Sequence, residues 1–372
     1  MRIIIIGNFT GYNAGDSVIL ESILNDLNKY YQNATIVIPG TEINIKSKYN
    51  SLKISYISTD RKHFAIRFFS VKMIKEMMRA DLLVVTAGTV FSRRFNDVNY
   101  SFLSTLIPSY KIAKLKNRKM KIVCYNVGIA FDGLWFANKC VKGFLQDASI
   151  VSLRHSQDKN MIKDVCPNIM VSLDNVFGYG KPLLLENNQD KIIIGVNLAS
   201  YAVNNTGVDL ETWCLTYLRN LRIEFPNAHI KCIETTKGDY KFVSNLIDMI
   251  EDKDIDVIDL TMFEYRQIRH IYSEINLFVG MRMHSLIFAL KESIPSIGLT
   301  YDDKVRKLFC DLGLEKFVYA INGNAIGESI DALKKMREDE DLRNYIYCRM
   351  IKAYDTVSSN NMNIWRDMIP NV

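Results

Sequence analysis

"KIIIGVNLAS", residues 191–200, restarts a pattern that the chain has already used once. The earlier stretch is "RIIIIG" (2–7), and in both a run of isoleucines stands directly before a glycine. Uninterrupted apolar runs of this kind are typical of strands buried on both faces of a parallel sheet. The Gly- and Pro-containing polar stretch "FGYGKPLLLENNQD" (177–190) separates the two patterns. We therefore predict two α/β domains with a linker near 178–190.

Strand-like and helix-like segments alternate through both halves. The predicted strands are 2–7, 34–40, 52–57, 81–88, 120–128 and 149–153, and then 191–200, 228–234, 256–260, 275–280, 295–299 and 317–320. The predicted helices are 17–31, 70–79, 99–116, 134–146 and 156–165, and then 209–224, 239–250, 263–273, 284–292 and 303–312. Such alternation indicates doubly wound α/β domains.

The expected fold class is α/β, with two Rossmann-like domains facing across a cleft (GT-B-like) and a helical C-terminal tail. The predicted bounds are 1–180, 181–345 and 346–372. A periplasmic-binding-protein-like receptor has the same arrangement, but the start of the chain does not have the long apolar core of a signal peptide. Sheets of this class bind ligands at the carboxyl ends of their strands.

Composition limits the class of partner. The 372 residues are 48% apolar and 24% charged, with a net charge of +6, which is typical of a folded protein with a mild preference for anions. No DNA- or RNA-reading motif accompanies this charge, so nucleic acid is not expected. The seven cysteines never occur as CxxC and the five histidines lack metal-ligand spacing, so neither disulfides nor a metal is expected. No apolar run approaches a membrane span, and we expect a cytoplasmic protein.

The first loop, "GNFTGYNAGD" (7–16), follows the first predicted strand. Its glycines are four residues apart, which is neither a dinucleotide fingerprint nor a P-loop. Gly11 and Gly15 would let the backbone approach a ligand, and Asn13 and Asp16 would supply polar groups. The alternative is a glycine-rich turn in which Asp16 caps the following helix.

A second motif, "VSLRHSQDKN" (151–160), places Arg154 just past a predicted strand. An arginine at this position could hold a phosphate or carboxylate through two parallel hydrogen bonds. Alternatively, Arg154 pairs with a carboxylate such as Asp174.

The late motif, "GMRMHSLIFAL" (280–290), puts Arg282 and His284 between a predicted strand and a predicted helix. Helix N-termini attract anions, and a titratable histidine adds the capacity for acid catalysis. The alternative is a histidine that packs against the helix start. In the next loop, "LTYDDKVRKLF" (299–309), Lys304 could line the same site or belong to a solvated helix face.

Two basic stretches remain, 61–79 and 110–121. The first interleaves its cations with Phe64, Phe68 and Phe69, a combination found in proteins that rest on anionic membranes. We therefore predict peripheral membrane contact through 61–79, with ordinary core packing of the phenylalanines as the alternative.

Three stretches, taken in order, resemble the motifs of the polysaccharide pyruvyltransferase family. They are "GYNAGDSVIL" (11–20), "VSLRHSQDKNMI…SLDNVF" (151–177) and "GMRMHSLIFALKESIPSIGLTYDDKV" (280–305). The resemblance implies a GT-B-like fold and transfer of pyruvate from phosphoenolpyruvate to two hydroxyls of a sugar, giving a cyclic ketal. It also implies a place in bacterial exopolysaccharide, capsule or cell-wall polymer synthesis, often on lipid-linked sugars.

The resemblance further associates Arg282, His284 and Arg154 with the phosphoenolpyruvate site, and we expect Lys304 to contribute. His284 would act as the general acid, Arg282 would grip the donor, and Asp16 would act as base for the acceptor hydroxyl. No cofactor beyond the donor substrate is implied.

The chain departs from the family pattern at two places. His155 stands where the family commonly has Asp, and "TAGTVF" (86–91) stands where it often has a run of glycines. The alternatives left open are a nucleotide-sugar glycosyltransferase on the same fold and a non-catalytic sugar- or anion-binding protein.

Overall fold

The computed structural model describes most of the chain. The described residues are 1–40, 48–58, 68–86, 91, 102–129, 135–166, 168–184, 192–200 and 208–368, with side chains omitted at 102–104 and 135–137. They form two compact units, the first comprising Met1–Gly11, Ile19–Gly178 and Thr356–Val372, and the second Tyr12–Val18 and Tyr179–Asp355.

A parallel sheet forms the centre of the first unit. Its strands are β1 (Arg2–Ile6), β2 (Thr35–Pro39), β3 (Lys53–Ile57), β4 (Leu82–Val85), β5 (Lys121–Val127), β6 (Ile150–Leu153) and β7 (Ile169–Val171), and their order is β3-β2-β1-β4-β5-β6-β7. Ile3 pairs with Ile36 of β2 on one side and with Leu82 of β4 on the other. The isoleucines of β1 are fully buried, because the sheet is covered on both faces.

Helices follow the strands of this sheet. They are α1 (Ala14–Tyr30), α2 (Val71–Met77), α3 (Phe102–Lys116), α4 (Trp135–Gln146), α5 (Lys159–Ile162) and α6 (Asn175–Gly178). From β1 the chain adds β2 and β3 on one side of the sheet and then β4 to β7 on the other. This switch point between the parallel strands β1 and β4 defines a Rossmann-like unit.

A second parallel sheet forms the centre of the second unit. Its strands are β8 (Ile193–Asn197), β9 (His229–Glu234), β10 (Ile255–Asp259), β11 (Leu277–Gly280), β12 (Ser296–Thr300) and β13 (Val318–Ala320), in the order β10-β9-β8-β11-β12-β13. The helices between them are α7 (Leu210–Glu224), α8 (Lys237–Ile250), α9 (Tyr265–Ser273), α10 (Met283–Lys291) and α11 (Asp303–Leu312). This unit is also Rossmann-like, and its order places β8 and β11 side by side at the switch point.

The chain ends in helices α12 (Ala325–Glu338) and α13 (Glu340–Met368). Within the first unit, the last turns of α13 are anchored by Trp365, which is fully buried. Its ring lies 4.7 Å from that of Tyr125 and 6.2 Å from that of Tyr31, measured between centroids. Trp365 Nε1 and Tyr125 Oη both donate to Asp26 Oδ2, at 3.4 and 2.9 Å. Burial raises the pKa of Asp26, although these hydrogen bonds favour its charged form.

The predicted fold class is confirmed for the two Rossmann-like units and the helical C-terminus. The sequence missed the short strand β7 and the single turn α6, and α1 begins at Ala14 rather than near residue 17. No helix in the described part of the chain is long and apolar enough to cross a membrane.

The predicted membrane stretch 61–79 falls partly outside the described residues, since 61–67, including Phe64, are not described. The expectation that Phe68 contacts lipid is wrong, because this side chain is only 1% exposed and belongs to the hydrophobic core. Phe69, by contrast, is 36% exposed.

Candidate active site

The late motif lies where β11 ends and α10 begins, in the second unit. Arg282 is the N-cap residue, with extended backbone angles (φ −93°, ψ 131°), and His284 lies in the first turn of α10. Ser285 Oγ lies 2.7 Å from the Arg282 carbonyl oxygen and 2.9 Å from Asn197 Oδ1, and it shares its one proton between these acceptors. Backbone N–H groups of a helix start and the helix dipole favour an anion at this position.

Three hydrogen bonds fix the orientation of the Arg282 guanidinium. Its Nε and Nη2 donate to the two carboxylate oxygens of Asp239, at 2.8 and 2.9 Å, and its Nη1 donates to Tyr301 Oη at 3.0 Å. The Asp239 side chain is 1% exposed, whereas that of Arg282 is 23% exposed. The inner edge of the guanidinium is therefore occupied by protein, and part of the group still reaches the surface.

The charge of Arg282 is secure. Burial by itself lowers its pKa, but the hydrogen bonds to Asp239 and the charge of that carboxylate outweigh burial, and the net pKa is raised. An arginine that is fully charged and fixed in plane is suited to bind a carboxylate or a phosphate through two parallel bonds.

Asp239 comes from the first turn of α8, and sequence reasoning missed it. Besides the two bonds from Arg282, its Oδ1 accepts hydrogen bonds from Ser200 N and Ser200 Oγ, at 2.9 and 2.7 Å. The available signal was an acidic residue in the first helical turn after β9, at the same sheet edge as Arg282. That signal is weak because acidic residues favour the first turn of any helix.

Asn197, at the end of β8, forms hydrogen bonds both to the neighbouring strand β9 and to the late motif. Its Oδ1 accepts from Arg282 N and from Ser285 Oγ, each at 2.9 Å, and its Nδ2 donates to Ile233 O at 2.8 Å and to Glu234 Oε2 at 3.0 Å. Every polar atom of this buried amide is thereby used to fix the backbone from which Arg282 projects.

Glu234 is fully buried at the end of β9. Burial, together with the nearby charge of Asp239, raises the pKa of Glu234 well above its usual range. A carboxyl group in such surroundings holds its proton to a higher pH than an exposed one. No pattern in the sequence pointed to this group.

His284 lies directly on the backbone of Gly15, in the first turn of α1. A Cβ atom at Gly15 would stand only 2.1 Å from both Cγ and Nδ1 of the imidazole. Only glycine leaves room for the ring at this position. The predicted residues Gly15 and His284 are therefore brought together by the structure.

The first loop is joined to the loop before α8. Asn13 pairs with Thr236 in an antiparallel bridge, Ala14 N donates to Thr235 O at 2.8 Å, and Lys237 N donates to Tyr12 O at 3.1 Å. The same short connection therefore positions Gly15 and, two residues beyond Lys237, Asp239.

Asp16 is buried in the first turn of α1 and does not cap the helix. Asn13 takes that role, because its Oδ1 accepts the backbone N–H of Asp16 at 3.2 Å. The alternative interpretation of Asp16 as N-cap is wrong. Gly11, assigned to the first unit, has a φ of +76°, a left-handed conformation that favours glycine, and an added Cβ would meet nothing within 4 Å.

Lys304 lies in the first turn of α11, one loop further along the same sheet edge. Its backbone N–H donates to Asp302 Oδ1 at 3.0 Å, and its Nζ lies 3.6 Å from Asp302 Oδ2. The side chain is 45% exposed. Tyr301, immediately before this pair, is the loop residue that contacts Arg282.

Arg154 belongs to the first unit and follows β6. Its side chain is 2% exposed, and its Nη1 lies 3.5 Å from Asp174 Oδ2, so the ion pair that the sequence left as an alternative is present. Its Nε is buried and makes no hydrogen bond with the described residues. A Cβ at Gly128 would come within 3.0 Å of that atom, so the backbone approaches the guanidinium closely. His155 is 3% exposed.

Across the described residues, no group of three or more His, Cys, Asp or Glu side chains is placed to hold a metal ion. The donors gathered at the late motif are a guanidinium, an imidazole and a helix N-terminus. Groups of these kinds are suited to binding an anion.

Two Rossmann-like units, each built on a parallel sheet, are the architecture of the GT-B-like fold class. Solved structures support this fold. Anabaena HepE in complex with UDP and glucose superposes with a TM-score of 0.64 at 11% identity, covering 99% of both chains. The S. aureus MnaA–UDP structure gives 0.62 at 12% identity, over 99% of this chain and 97% of that one. A putative UDP-N-acetylglucosamine 2-epimerase from Listeria monocytogenes gives 0.63 at 10% identity, over 96% and 94%.

The family of the chain is shown by its sequence, over a range that includes the motifs described above. Residues 13–303 match the family model for polysaccharide pyruvyl transferase, and the chain belongs to this family. It is therefore a transferase enzyme of polysaccharide pyruvylation. No curated protein matches the chain at a significant level.

Proposed function

We propose that this enzyme transfers the pyruvyl group of phosphoenolpyruvate to two hydroxyls of one sugar, forming a cyclic ketal. The observation that carries the proposal is the clamped guanidinium of Arg282 at the start of α10, with His284 in the same helical turn. The acceptor would be a sugar of a bacterial exopolysaccharide, capsule or cell-wall polymer, carried on a lipid during synthesis in the cytoplasm.

Arg282 would bind an anionic group of the donor. Phosphoenolpyruvate carries a phosphate and a carboxylate, and either matches the fork geometry of a guanidinium. Because Asp239 and Tyr301 already hold three of its N–H groups, the remaining ones are presented in a fixed direction. Little side-chain entropy would then be lost when the donor binds.

His284 would be the general acid. Carbon 3 of phosphoenolpyruvate must gain a proton before carbon 2 becomes electrophilic, and a well-placed acid of this kind contributes roughly 10²- to 10⁴-fold to the rate. Gly15 leaves room for the imidazole at this position, where a Cβ atom would displace the ring.

Asp16, adjacent to Gly15, would accept the proton of the attacking sugar hydroxyl. One hydroxyl oxygen adds to carbon 2, phosphate departs, and the second hydroxyl closes the ketal. Of the two hydroxyl protons, one balances the proton gained by carbon 3 and the other leaves with phosphate. No oxidant or reductant is needed.

From the resemblance to the family we propose Arg154 as a second donor ligand, and we propose Lys304, in the first turn of α11 after β12, as a third. The buried Nε of Arg154 is consistent with this role, since it makes no hydrogen bond within the described part of the chain and so has donor capacity left.

The proposal is tested by incubating the purified enzyme with phosphoenolpyruvate and lipid-linked sugars. Mass spectrometry should show the gain of a pyruvyl ketal, and phosphate should be released only when acceptor is present. Phosphate release without any change in the sugar would contradict the ketal product.

A nucleotide-sugar glycosyltransferase is the competing assignment, because two of the similar structures contain UDP. Such an enzyme needs a carboxylate free to bind the ribose. Glu292, at the end of α10, is instead held by Arg269 at 2.6 and 3.1 Å. Thermal stabilisation by phosphoenolpyruvate, and not by UDP-glucose, would separate the two.

A further inference from the structure

Three helices of the first unit cover one face of its sheet. The buried sides of α2, α3 and α4 contribute Met77, Tyr110 and Phe144 to a single hydrophobic cluster with β4 and β5. Asn117, just after α3, donates to the carbonyls of Met77 and Ala80 at 3.2 and 2.7 Å, so α2 and α3 lie side by side. The outward sides of these helices form one surface, here called the α2–α3–α4 face.

This face is strongly cationic. Its helices contain Lys72, Lys75, Lys111, Lys114, Lys116, Lys139 and Lys142. Neither α3 nor α4 contains an acidic residue, and the single one of α2, Glu76, pairs with Arg2 at 2.6 Å. Asp147, directly after α4, pairs with Lys111 at 2.7 Å, and the other lysines of the face outnumber these two acidic residues. The whole chain has 47 cationic and 41 acidic residues, so this imbalance is a local feature.

Apolar side chains stand among these lysines. Leu115 is 78% exposed and Val71 is 70% exposed, with Ile112 at 38% and Phe69 at 36%. Ile112 and Leu115 lie one turn apart on α3. Single exposed apolar residues are ordinary on a soluble protein, but three of them on two adjacent helices rich in lysine, with Phe69 just before α2, are a feature to explain.

We propose that the α2–α3–α4 face binds an anionic lipid surface. Lysine ammonium groups are attracted by anionic headgroups, and the aliphatic side chains would enter the boundary between headgroups and acyl chains. Nucleic acid fits less well, since none of the three helices contains an arginine and exposed leucine and valine gain nothing from a phosphate backbone. The binding would bring the enzyme to membrane-carried acceptors, but it does not depend on the donor proposed above.

The test is co-sedimentation of the purified full-length enzyme with lipid vesicles. We expect binding to vesicles that contain phosphatidylglycerol, weak binding to vesicles of phosphatidylcholine alone, and a decrease with added salt. Val71→Ser with Leu115→Ser should weaken binding about tenfold or more by removing apolar insertion. Lys72→Glu with Lys75→Glu should weaken it by a similar factor, roughly tenfold.

Matched controls come from the second unit. Ile223 on α7 is also 70% exposed, and Lys335 on α12 is an exposed lysine, so Ile223→Ser and Lys335→Glu should bind vesicles as the unchanged enzyme does. Circular dichroism would verify that all variants are folded.

Two results would overturn the proposal. One is vesicle binding without the expected dependence, either because all variants, controls included, bind equally or because anionic vesicles are not preferred. The other is a DNA oligonucleotide that binds as tightly as the vesicles and is unaffected by Val71→Ser with Leu115→Ser, which would indicate a general polyanion surface.

Discussion

The guanidinium of Arg282 and the carboxylate of Asp239 meet through two parallel hydrogen bonds, Nε to Oδ2 at 2.8 Å and Nη2 to Oδ1 at 2.9 Å. Asp239 is buried and also accepts two bonds from Ser200. An aspartate held this firmly acts as a support for the arginine. The proposed donor site therefore depends on a residue that need not touch the donor.

Asp239→Asn should weaken donor binding while leaving most of the rate at saturation. The asparagine amide would place N–H groups against the donors of Arg282, and charge-assisted bonds are each worth about 1.5–3 kcal/mol. We expect the KM for phosphoenolpyruvate to rise roughly ten- to hundredfold. The control is Asp252→Asn, which breaks a comparable pair with Arg222 (2.5 Å) elsewhere in the second unit. Equal effects of both variants on KM would argue against a positioning role.

Gly15→Ala should lower kcat. A Cβ 2.1 Å from the imidazole must displace the ring of His284, so the proposed acid leaves its position. The loss should be on the order of 10²-fold or more, as for a misplaced general acid. Gly327→Ala in α12 is the matched change, because its Cβ meets nothing within 4 Å. Steady-state kinetics at saturating donor measures the effect, and an unchanged kcat in Gly15→Ala would exclude His284 from the chemistry.

His284→Ala and Arg282→Ala should affect different kinetic constants. The histidine variant is expected to bind phosphoenolpyruvate with near-normal affinity and to lose turnover by roughly 10²- to 10⁴-fold. The arginine variant should instead lose donor affinity, because its contacts are made in the ground state as well. Donor titration calorimetry combined with phosphate-release kinetics separates the two. Full ketal formation by His284→Ala would remove the assignment of the acid.

Glu234→Gln should change the pH dependence of stability. The pKa of Glu234 is raised in the folded protein, so the folded state holds its proton where the unfolded state has released it. The contribution of Glu234 to the free energy of unfolding is therefore fully present at low pH. It is lost as the pH rises above the ordinary glutamate range toward the pKa in the folded state. The loss is about 1.4 kcal/mol for each unit by which the two pKa values differ. The glutamine variant cannot ionise and should be the more stable one in alkaline buffer.

Denaturant unfolding across a pH series measures this difference. Exposed Glu315→Gln is the control and should leave the pH profile unchanged. Asp26, whose pKa is also raised by burial, contributes equally to both proteins and cancels in the comparison. Parallel profiles for Glu234→Gln and the unchanged enzyme would show that Glu234 ionises normally.

Most of the fold could be predicted from the sequence, because a strand buried on both faces of a parallel sheet is an uninterrupted apolar run. Runs such as Ile3–Ile6 read as strands without any knowledge of their partners. Strand β7 was missed because it has three residues, all half-buried, and no apolar run to distinguish it from a loop.

The site was predicted only where a residue stands beside its strand or helix in sequence. Arg282 and His284 were found because a basic pair at a strand-to-helix turn is unusual. Asp239 and Asn197 were missed because their roles consist of contacts 43 and 85 residues away along the chain.

The sequence by itself determined the two Rossmann-like units, the anion-suited helix start and the family, because these depend on local periodicity and on motifs contiguous in the chain. Only the tertiary structure decided which carboxylate holds Arg282, why position 15 must be glycine, and that Phe68 is core while Leu115 is exposed. The physical reason is that hydrogen-bond partners, steric contact and exposure are set by strand order, which brings together residues that the chain itself keeps far apart.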